Sequence, residues 1–328
     1  MHFPKITYTT TLFGIVFLHF SALSQSAPSL PHHSDTAFHH PKIESLEIPK
    51  LHPHEEIVKH AGYTLSYNEQ HEQANWVAYE LTDTETVKQF NRTDRFKPDP
   101  AVKTHTADNI DYQGFGYDRG HLAPAADMGW SAITMDESFY FSNMSPQEPS
   151  FNRGIWKKME DLVRSWAVEY KAVYVVVGPV LKPNLHKIGV ETKVSVPEYY
   201  YKVVLDKVSH PAKGLAFLIQ NHSSSEPLST FAFSIDSVES LTGIDFFPLL
   251  PDEEEHNLES NLCIPCWDWN KTKLPSLHKQ TPLDSDTNKG NDNHNQAESV
   301  QCKGLTQKGE RCKNHTHNQS GYCHIHEK

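Results

Sequence analysis

Short runs of apolar residues recur along the middle of the chain and predict β-strands. Each run is rich in β-branched and aromatic side chains and ends at turn-forming residues, as strands usually do. The runs are residues 75–81 (NWVAYEL), 173–180 (VYVVVGPV), 199–205 (YYYKVVL), 215–220 (LAFLIQ) and 230–235 (TFAFSI). They predict the strands of a mixed or antiparallel sheet.

A second pattern predicts one long helix over residues 152–173. Apolar side chains recur there at intervals of three to four residues and give the helix one apolar face. They are Ile155, Met159, Leu162, Val163, Trp166 and Tyr170. A shorter helix is predicted after Asp236, because Asp236 and Glu239 have capping-box spacing and Gly243 can end it. Strands around one long helix indicate an α+β domain with flanking helices.

The N-terminal segment has the pattern of an export signal. Lys5 precedes an apolar run over residues 12–23 (LFGIVFLHFSAL), and small residues follow within 24–27. The run is shorter than a membrane-spanning helix. We therefore expect residues 1–27 to be a signal peptide and the protein to be secreted or periplasmic, without stable membrane insertion once the signal is removed. A buried helix and a single-pass anchor are the alternatives.

Composition divides the rest of the chain into four parts. Residues 28–58 are rich in Pro and His and predict a flexible lead-in. Residues 59–269 contain the predicted strands and helices and form the main domain. Residues 270–300 are polar and nearly free of aromatic side chains, which predicts a linker. Residues 301–328 form a small tail that contains Cys and His.

The charge balance excludes one class of nucleic-acid-binding protein. The 328-residue chain has a formal net charge of −11. A protein that coats nucleic acid by bulk electrostatics needs an excess of Lys and Arg to neutralise phosphates. An enzyme needs only a local basic cleft, so a nucleic-acid substrate remains compatible with the acidic total.

The segment DRGH at 118–121 offers the first candidate chemistry. In an extended strand Arg119 and His121 point to the same side, and the Gly between them lets a backbone or ligand approach closely. A guanidinium holds phosphate oxygens with a fork of hydrogen bonds. A neutral imidazole can take a proton from water near pH 7. The pair therefore suits a phosphodiester, whereas a lone His121 would more often be structural.

Three further polar residues extend this candidate site. Asn143 lies in SNMSPQ, Asn152 opens the predicted helix, and Glu160 follows it by eight residues, about two helical turns. An amide oxygen is a hard, neutral ligand, and Mg²⁺ accepts few protein ligands and many waters. A Mg²⁺ site with one Asn ligand and a water shell, completed by substrate phosphate, is therefore chemically reasonable here. The alternatives are a helix N-cap at Asn152, a turn former at Asn143 and a solvated Glu160.

The same segments resemble the DNA/RNA non-specific endonuclease family, whose members have the ββα-metal (His-Me finger) site and include mitochondrial endonuclease G. The matching segments are DRGHLAPAAD at 118–127, FYFSNMSPQ at 139–147 and FNRGIWKKME at 151–160. The resemblance continues through VYVVVGPVL at 173–181 and to FFPLLPD at 246–252. It implies a ββα-metal finger beside the sheet.

The resemblance implies a role for each candidate residue. His121 is the general base, and Asn152 is the direct Mg²⁺ ligand, with Mn²⁺ as an expected substitute. Arg119 and Asn143 position and support the site, and Glu160 holds a water molecule on the metal. The family also has an upstream Arg that stabilises the transition state. Arg92 and Arg95 are both candidates for it, and we prefer Arg95.

The resemblance also implies the reaction. A water deprotonated by His121 attacks phosphorus in line, and Mg²⁺ stabilises the developing charge. The products have 5′-phosphate and 3′-hydroxyl ends. DNA and RNA are both expected substrates, because contacts to phosphate and sugar contain little sequence information. The competing function is a catalytically inactive nucleic-acid-binding protein that uses the same cleft and a basic tail; intact His121 and Asn152 argue against it.

The tail has the spacing of a small zinc site. Cys302, Cys312, Cys323 and His326 form C-x9-C-x10-C-x2-H, with His324 as an alternative ligand. Three thiolates and an imidazole suit a structural Zn²⁺. A segment this short needs a bound metal or a disulfide in order to fold. Disulfides are the alternative for these cysteines. A disulfide is also plausible for the C-x-x-C pair at 263–266.

Overall fold

The computed structural model describes residues 42–270, 300–304, 311–312, 315–316 and 320. The expected signal peptide, residues 28–41 of the lead-in and nearly all of the linker lie outside these residues. The chain divides into two compact units at residues 272–273. Among the helices of the described residues, none combines the length and the apolar character that crossing a membrane requires.

The described residues form thirteen strands and six α-helices. The strands are β1 (Glu56–Lys59), β2 (Thr64–Asn68), β3 (Gln73–Thr82), β4 (Asp118–His121), β5 (Met144–Gln147), β6 (Ala172–Pro179), β7 (Lys187–Ile188), β8 (Val194–Ser195), β9 (Tyr199–Asp206), β10 (Lys213–Gln220), β11 (Ala232–Phe233), β12 (Val300–Gln301) and β13 (His315–Thr316). The α-helices are α1 (Asn109–Tyr112), α2 (Ala132–Glu137), α3 (Pro149–Phe151), α4 (Lys157–Tyr170), α5 (Ile235–Thr242) and α6 (Asp252–Ser260). A π-helical turn (Asn152–Trp156) joins α3 to α4, and 3₁₀ turns form at Phe141–Asn143, Leu228–Phe231 and Ile264–Cys266.

Seven strands form one antiparallel sheet in the order β1-β2-β3-β6-β9-β10-β11. Its central strand β6 is buried along its whole length. Val173, Val175 and Val177 pack on one face, and Tyr174 and Val176 pack on the other. Apolar cover on both faces explains why this segment is a continuous apolar run rather than an alternating one. The expected α+β fold is confirmed.

The two faces of the sheet have different partners. Helix α4 lies on one face, where Met159, Leu162, Val163 and Trp166 join the larger apolar cluster. Helices α5 and α6 lie on the other face, with Ile235, Val238 and Leu258 in the second cluster. The apolar stripe predicted for the long helix is therefore its core-facing side.

A separate two-stranded finger stands beside the sheet. Strands β4 and β5 pair antiparallel, with Asp118 opposite Gln147 and His121 opposite Met144. Side-chain hydrogen bonds tie β5 to the sheet: Ser145 Oγ donates to Gln73 Oε1 at 2.5 Å, and Tyr200 Oη donates to the Pro146 carbonyl at 2.9 Å. With α3, the π-helical turn and α4 following β5, this region has the expected β-β-α order.

Some boundaries differ from the predictions. In the last predicted strand, 230–235, the first two residues end a 3₁₀ turn, only Ala232–Phe233 pairs, and Ile235 begins α5. The predicted capping box at α5 is wrong: Ser234 is the N-cap, and its side chain makes no capping hydrogen bond. Gly243 does end α5, with the left-handed φ of 72° that favours glycine. Asn152 is not an N-cap, because it follows α3 with helical dihedrals.

Candidate active site

An open cleft of about 450 Å³ lies between the finger and the start of α4. It contains four of the predicted site residues, together with a surplus of cationic side chains. Its principal polar lining residues are Arg92, Asp94, Asp118, Arg119, His121, Asn152, Arg153, Lys157, Glu160 and Arg164. Two predicted residues, Arg95 and Asn143, do not line it. A local basic cleft in an acidic protein is the arrangement that the charge balance allowed.

His121 ends β4 and lines this cleft with its imidazole largely buried. The rings of Phe96 and Phe139 meet it edge-on, with centroids 5.8 and 5.0 Å away. Its Nε2 atom is buried and has no hydrogen-bond partner among the described residues. Burial lowers the pKa of His121 to about 3, and the charges of Arg92 and Arg119 act in the same direction. The imidazole is therefore neutral at physiological pH and can accept a proton at nitrogen.

Gly120 is required by its neighbour across the finger. A Cβ atom built at this position would lie 2.2 Å from Cδ of Gln147, which is fully buried. The predicted close approach therefore occurs, and its partner is a protein side chain. With the glycine in place, Arg119 and His121 both face the cleft, as the strand periodicity predicted.

Asn143 holds the chain that follows His121. Its Oδ1 accepts a 2.8 Å hydrogen bond from the Ala123 amide, and its Nδ2 donates to the Ala123 and Ser138 carbonyls, both at 2.9 Å. The side chain is fully buried. Because every polar atom of the amide is used in this way, Asn143 positions the loop and cannot itself contact a substrate.

Asn152 is oriented by the first residue of the finger. Its Nδ2 donates to Asp118 Oδ2 at 2.9 Å, which leaves the amide oxygen as the atom that can bind a cation. Arg153 forms a fork of hydrogen bonds to the same carboxylate, at 2.8 and 2.6 Å. Asp118 therefore fixes the side chain proposed as the metal ligand, as outer partners of metal ligands commonly do.

The turn that bears Asn152 is a local break in the helix. Gly154 has φ −106° and ψ −109°, outside the helical region, and a π-helical turn replaces the α-helical pattern between Asn152 and Trp156. Such π-bulges occur often at functional sites. The break allows Asn152 and Glu160 to line one cleft although a regular helix does not connect them.

Glu160 lies beside a buried group of charges beneath the cleft. Burial raises its pKa to about 7, while Lys202 and Arg164 act in the opposite direction. Arg164 donates a hydrogen bond to Asp127 at 2.5 Å, and Tyr79 Oη donates to the same carboxylate at 2.9 Å. Glu160 is therefore a carboxyl that is poised near neutral pH and whose ionisation depends on its cationic neighbours.

Lys202 is a member of this group that the sequence patterns did not single out. It is fully buried on β9, and its Nζ has no hydrogen-bond partner among the described residues. The ammonium lies 5.5 Å from the ring centre of Trp156, within cation–π range. Burial lowers its pKa, and Glu160 and Asp127 raise it. A single Lys inside the apolar run YYYKVVL was the available signal.

The geometry reverses the preference between the two upstream arginines. Arg92 lines the cleft, with its guanidinium 4.9 Å from the ring centre of Phe139. Arg95 instead bonds Asp136 at 2.9 Å, and its side chain is 70% exposed. The backbone between Arg92 and Arg95 is irregular, so their spacing of three residues does not determine where either side chain points. The sequence alone could therefore not show which arginine lines the cleft. The structure favours Arg92 and argues against Arg95.

Arg119 lies on the other side of His121. Its guanidinium stacks 3.9 Å from the ring centre of Phe96, and its Nη1 donates to Asn109 Oδ1. Stacking on an aromatic face restrains a guanidinium while leaving its edge free to bind phosphate oxygens. Two cationic side chains, Arg92 and Arg119, therefore flank the imidazole.

The Cys-rich part of the chain is only partly described. Cys302 and Cys312 are buried in contact with each other, and the Gly304 amide donates to Cys302 Sγ at 3.3 Å. Cys323, His324 and His326 lie outside the described residues, so the zinc site stays a prediction. Cys263 and Cys266 form a disulfide after α6.

Comparison with known proteins identifies the family. The family described as DNA/RNA non-specific endonuclease matches residues 50–253. "Nuclease EXOG, mitochondrial" of Danio rerio is 34% identical over 215 residues, which cover 61% of this chain and 63% of that protein. "Endonuclease G, mitochondrial" of Bos taurus is 33% identical over 207 residues, covering 59% of this chain and 69% of that protein.

A solved structure is also similar. In the structure described as "Crystal structure of the EndoG/EndoGI complex: Mechanism of EndoG inhibition", one chain aligns with a TM-score of 0.58 and 31% identity. The alignment covers 63% of this chain and 90% of that chain. The matched region thus corresponds to nearly the whole of the solved chain, but to under two thirds of the zebrafish relative.

These relatives contradict the expected secreted or periplasmic location. Both nucleases named above are described as mitochondrial, as is the endonuclease G of Homo sapiens. The N-terminal pattern misled because no acidic residue precedes Asp35 and hydroxyl side chains are frequent, features shared with mitochondrial targeting segments. The export expectation is therefore wrong. The family assignment does not depend on where the protein is located, because it rests on the match over residues 50–253. The chain belongs to the DNA/RNA non-specific endonuclease family.

Proposed function

We propose that this chain is a metal-dependent endonuclease that hydrolyses phosphodiester bonds of DNA and RNA with little regard for base sequence. One observation supports the proposal above all others. A neutral His121 with an unpartnered buried Nε2 shares a cleft with Asn152, whose amide is oriented by Asp118. A proton acceptor and a hard oxygen ligand in one basic cleft are what phosphodiester hydrolysis requires.

The donor set fits a hard divalent cation, for which we propose Mg²⁺, with Mn²⁺ as a substitute. Asn152 offers its amide oxygen, and Glu160 offers a carboxylate farther along the same cleft. Mg²⁺ prefers oxygen ligands and keeps several waters, so one direct protein ligand is sufficient. When bound there, the cation supplies positive charge to the phosphate during reaction.

His121 performs the proton transfer that starts the reaction. Its Nε2 removes a proton from a water, and that water's oxygen forms a bond to phosphorus as the bond to the 3′ oxygen breaks. The departing 3′ oxygen takes up a proton from solvent water. The products have 5′-phosphate and 3′-hydroxyl ends. Because the imidazole is neutral throughout the physiological range, it is available as a base in every free enzyme molecule.

Arg92 and Arg119 bind the phosphate on either side of this base. Their guanidinium groups stack on Phe139 and Phe96, and both lower the pKa of His121, which places their charge close to the imidazole. Contacts to phosphate contain no base information, and the proposed reaction does not use the sugar 2′-hydroxyl. Cleavage of both DNA and RNA follows.

The alternative is a catalytically inactive nucleic-acid-binding protein that uses the same cleft. The basic lining serves either function. The desolvated, unpartnered Nε2 of His121 favours the enzyme, because a binding protein gains nothing from burying a polar atom without a partner.

The test is digestion of plasmid DNA and total RNA by the full chain, with Mg²⁺ or with EDTA. We expect Mg²⁺-dependent cleavage of both substrates, and a loss of at least about a hundredfold in His121→Ala, as removal of a general base produces. His256→Ala is the matched control, since His256 is exposed on α6. Binding without cleavage by the wild type, or full activity in His121→Ala, would support the inactive binding protein instead.

For the tail we propose a structural Zn²⁺ held by Cys302, Cys312, Cys323 and His326, at the end of the linker 270–300. The contact between Cys302 and Cys312 and the amide-to-sulfur hydrogen bond from Gly304 support it, since backbone amides commonly donate to metal-bound thiolates. Metal analysis of purified protein checks it. We expect one Zn²⁺ per chain, and its loss in Cys312→Ser. A metal-free tail with oxidised cysteines would show that disulfides form there instead of a zinc site.

A further inference from the structure

Three carboxylates converge where α5 meets α6. Asp236 lies in the first turn of α5, Glu239 one turn later, and Glu259 in the last turn of α6. One ligand oxygen from each lies within 4.8 Å of the others. The proposed active site uses none of these residues, because they lie on the opposite face of the sheet from α4.

Glu259 sets this group apart from an ordinary acidic surface. The residue is 5% exposed, and its Oε1 is buried without a hydrogen-bond partner in the described part of the chain. A buried carboxylate without a partner is costly, so it must either take up a proton or bind a cation. The unpartnered oxygen is the feature that points to a ligand.

The surrounding charges increase the demand for a cation. Burial, together with the negative charges of Glu239 and Glu255, raises the pKa of Glu259 to about 9. Within residues 42–270, none of the three carboxylates forms an ion pair with Lys or Arg; Lys50, which feels the charge of Glu239, pairs with Asp245 at 2.8 Å. The last turn of α6 has no basic residue, although a helix C-terminus favours positive charge.

We propose that Asp236, Glu239 and Glu259 bind a calcium-sized divalent cation that ties α5 to α6. Ca²⁺ binds six to eight oxygen ligands at about 2.3–2.6 Å in a flexible geometry, whereas Mg²⁺ requires a near-ideal octahedron at about 2.0–2.1 Å. Three carboxylate oxygens that lie within 4.8 Å of one another can therefore share one Ca²⁺ after small side-chain movements. Glu239 is already oriented, since its Oε1 accepts a 2.7 Å hydrogen bond from the Phe246 amide.

The experiment measures the thermal midpoint of the full chain in EDTA and in millimolar CaCl₂. Because Ca²⁺ can also enter the cleft, all variants are made in an Asn152→Ala background, and no nuclease activity is needed. We expect Ca²⁺ to raise the midpoint by about 5 °C, as tight binding to the folded state does. Glu259→Gln and the milder Asp236→Asn should remove the rise.

Glu253→Gln is the matched control, because Glu253 is an exposed acid in the first turn of the same helix. It should retain the full rise. A midpoint that does not respond to Ca²⁺ in the Asn152→Ala background would overturn the proposal. So would an equal response in Asp236→Asn and its parent. If Glu259→Gln is as stable as its parent and neither responds to Ca²⁺, Glu259 is a protonated structural carboxyl.

Discussion

Asp118 accepts a 2.9 Å hydrogen bond from the Nδ2 atom of Asn152, 34 residues later in the chain. The contact joins the first strand of the finger to the π-helical turn that precedes α4. Asp118 is thus the first residue of the strand that ends in His121, and it also orients the amide of Asn152. The proposed base and the proposed metal ligand share this support.

Asp118→Ala should therefore weaken metal binding without removing the ligand itself. We expect the Mg²⁺ concentration for half-maximal cleavage to rise by about 10–100-fold, the usual effect of losing an outer partner of a metal ligand. Titration of the cleavage rate with Mg²⁺ measures it. Asp118→Asn retains an acceptor oxygen, so its Mg²⁺ requirement should lie between those of the wild type and Asp118→Ala. An unchanged Mg²⁺ requirement in Asp118→Ala would show that Asn152 is oriented by other contacts.

Arg92 and Arg95 provide a matched pair of substitutions three residues apart. Arg92→Ala removes a cleft guanidinium and should lower kcat/KM by about 100-fold, as loss of one group that stabilises transition-state charge does. Arg95→Ala removes an exposed ion pair with Asp136 and should change kcat/KM by less than about twofold. Steady-state cleavage of one oligonucleotide compares them. The opposite ranking would restore Arg95 to the site.

Lys202→Met should change activity in a pH-dependent manner. Lys202 opposes the rise in the pKa of Glu160, so its removal raises that pKa further. If cleavage requires ionised Glu160, the acid limb of the pH–rate profile moves to higher pH, and the loss is larger at pH 6 than at pH 8.5. A pH–rate profile of kcat/KM tests this, and a uniform loss at all pH values would contradict it.

The stability of the same variant separates charge from packing. Met has a similar volume to Lys, and burying an ammonium without a hydrogen bond is costly, so the substitution removes that cost. We expect the thermal midpoint of Lys202→Met to stay equal or rise while activity near pH 6 falls. A fall in both would mean that Lys202 supports the fold rather than Glu160.

Gly120→Ala should destabilise the finger by steric conflict. The added Cβ would meet the buried Gln147 side chain at 2.2 Å, and overpacking of this kind costs about 1–3 kcal/mol. Thermal unfolding measures the loss. The double variant Gly120→Ala/Gln147→Ala should recover part of it, because the clashing atoms are gone. Additive losses in the double variant would place the strain elsewhere.

The sequence predicted those elements whose burial leaves a regular local pattern. The stripe from Met159 to Trp166 packs as expected, because burial on one side enforces the helical period. The run 173–180 is continuously apolar because both of its faces are buried. The finger strands DRGH and MSPQ escaped periodicity, since they are short and contain Gly, Pro and polar side chains. They were found only through chemistry and the family resemblance.

The site was less predictable where residues approach from distant parts of the chain. Lys202 lies in a run that otherwise indicates plain core, and only the fold brings its charge near Glu160. The choice between Arg92 and Arg95 depended on a segment without regular structure. Neither burial by distant residues nor the path of an irregular backbone is visible in the local sequence pattern. These two causes explain why Lys202 was missed and why Arg95 was preferred.

The buried imidazole of His121, flanked by two cationic side chains, should differ in basicity between the free and the substrate-bound enzyme. In the free enzyme, burial lowers the pKa of the imidazole, and the positive charges of Arg92 and Arg119 lower it as well. A polyanion that enters the cleft offsets those charges and increases the basicity of Nε2. For the proposed base, substrate binding would therefore raise the pKa of the group that starts the reaction. We expect small neutral esters to react slowly, because they bring no negative charge to offset the positive charges of Arg92 and Arg119.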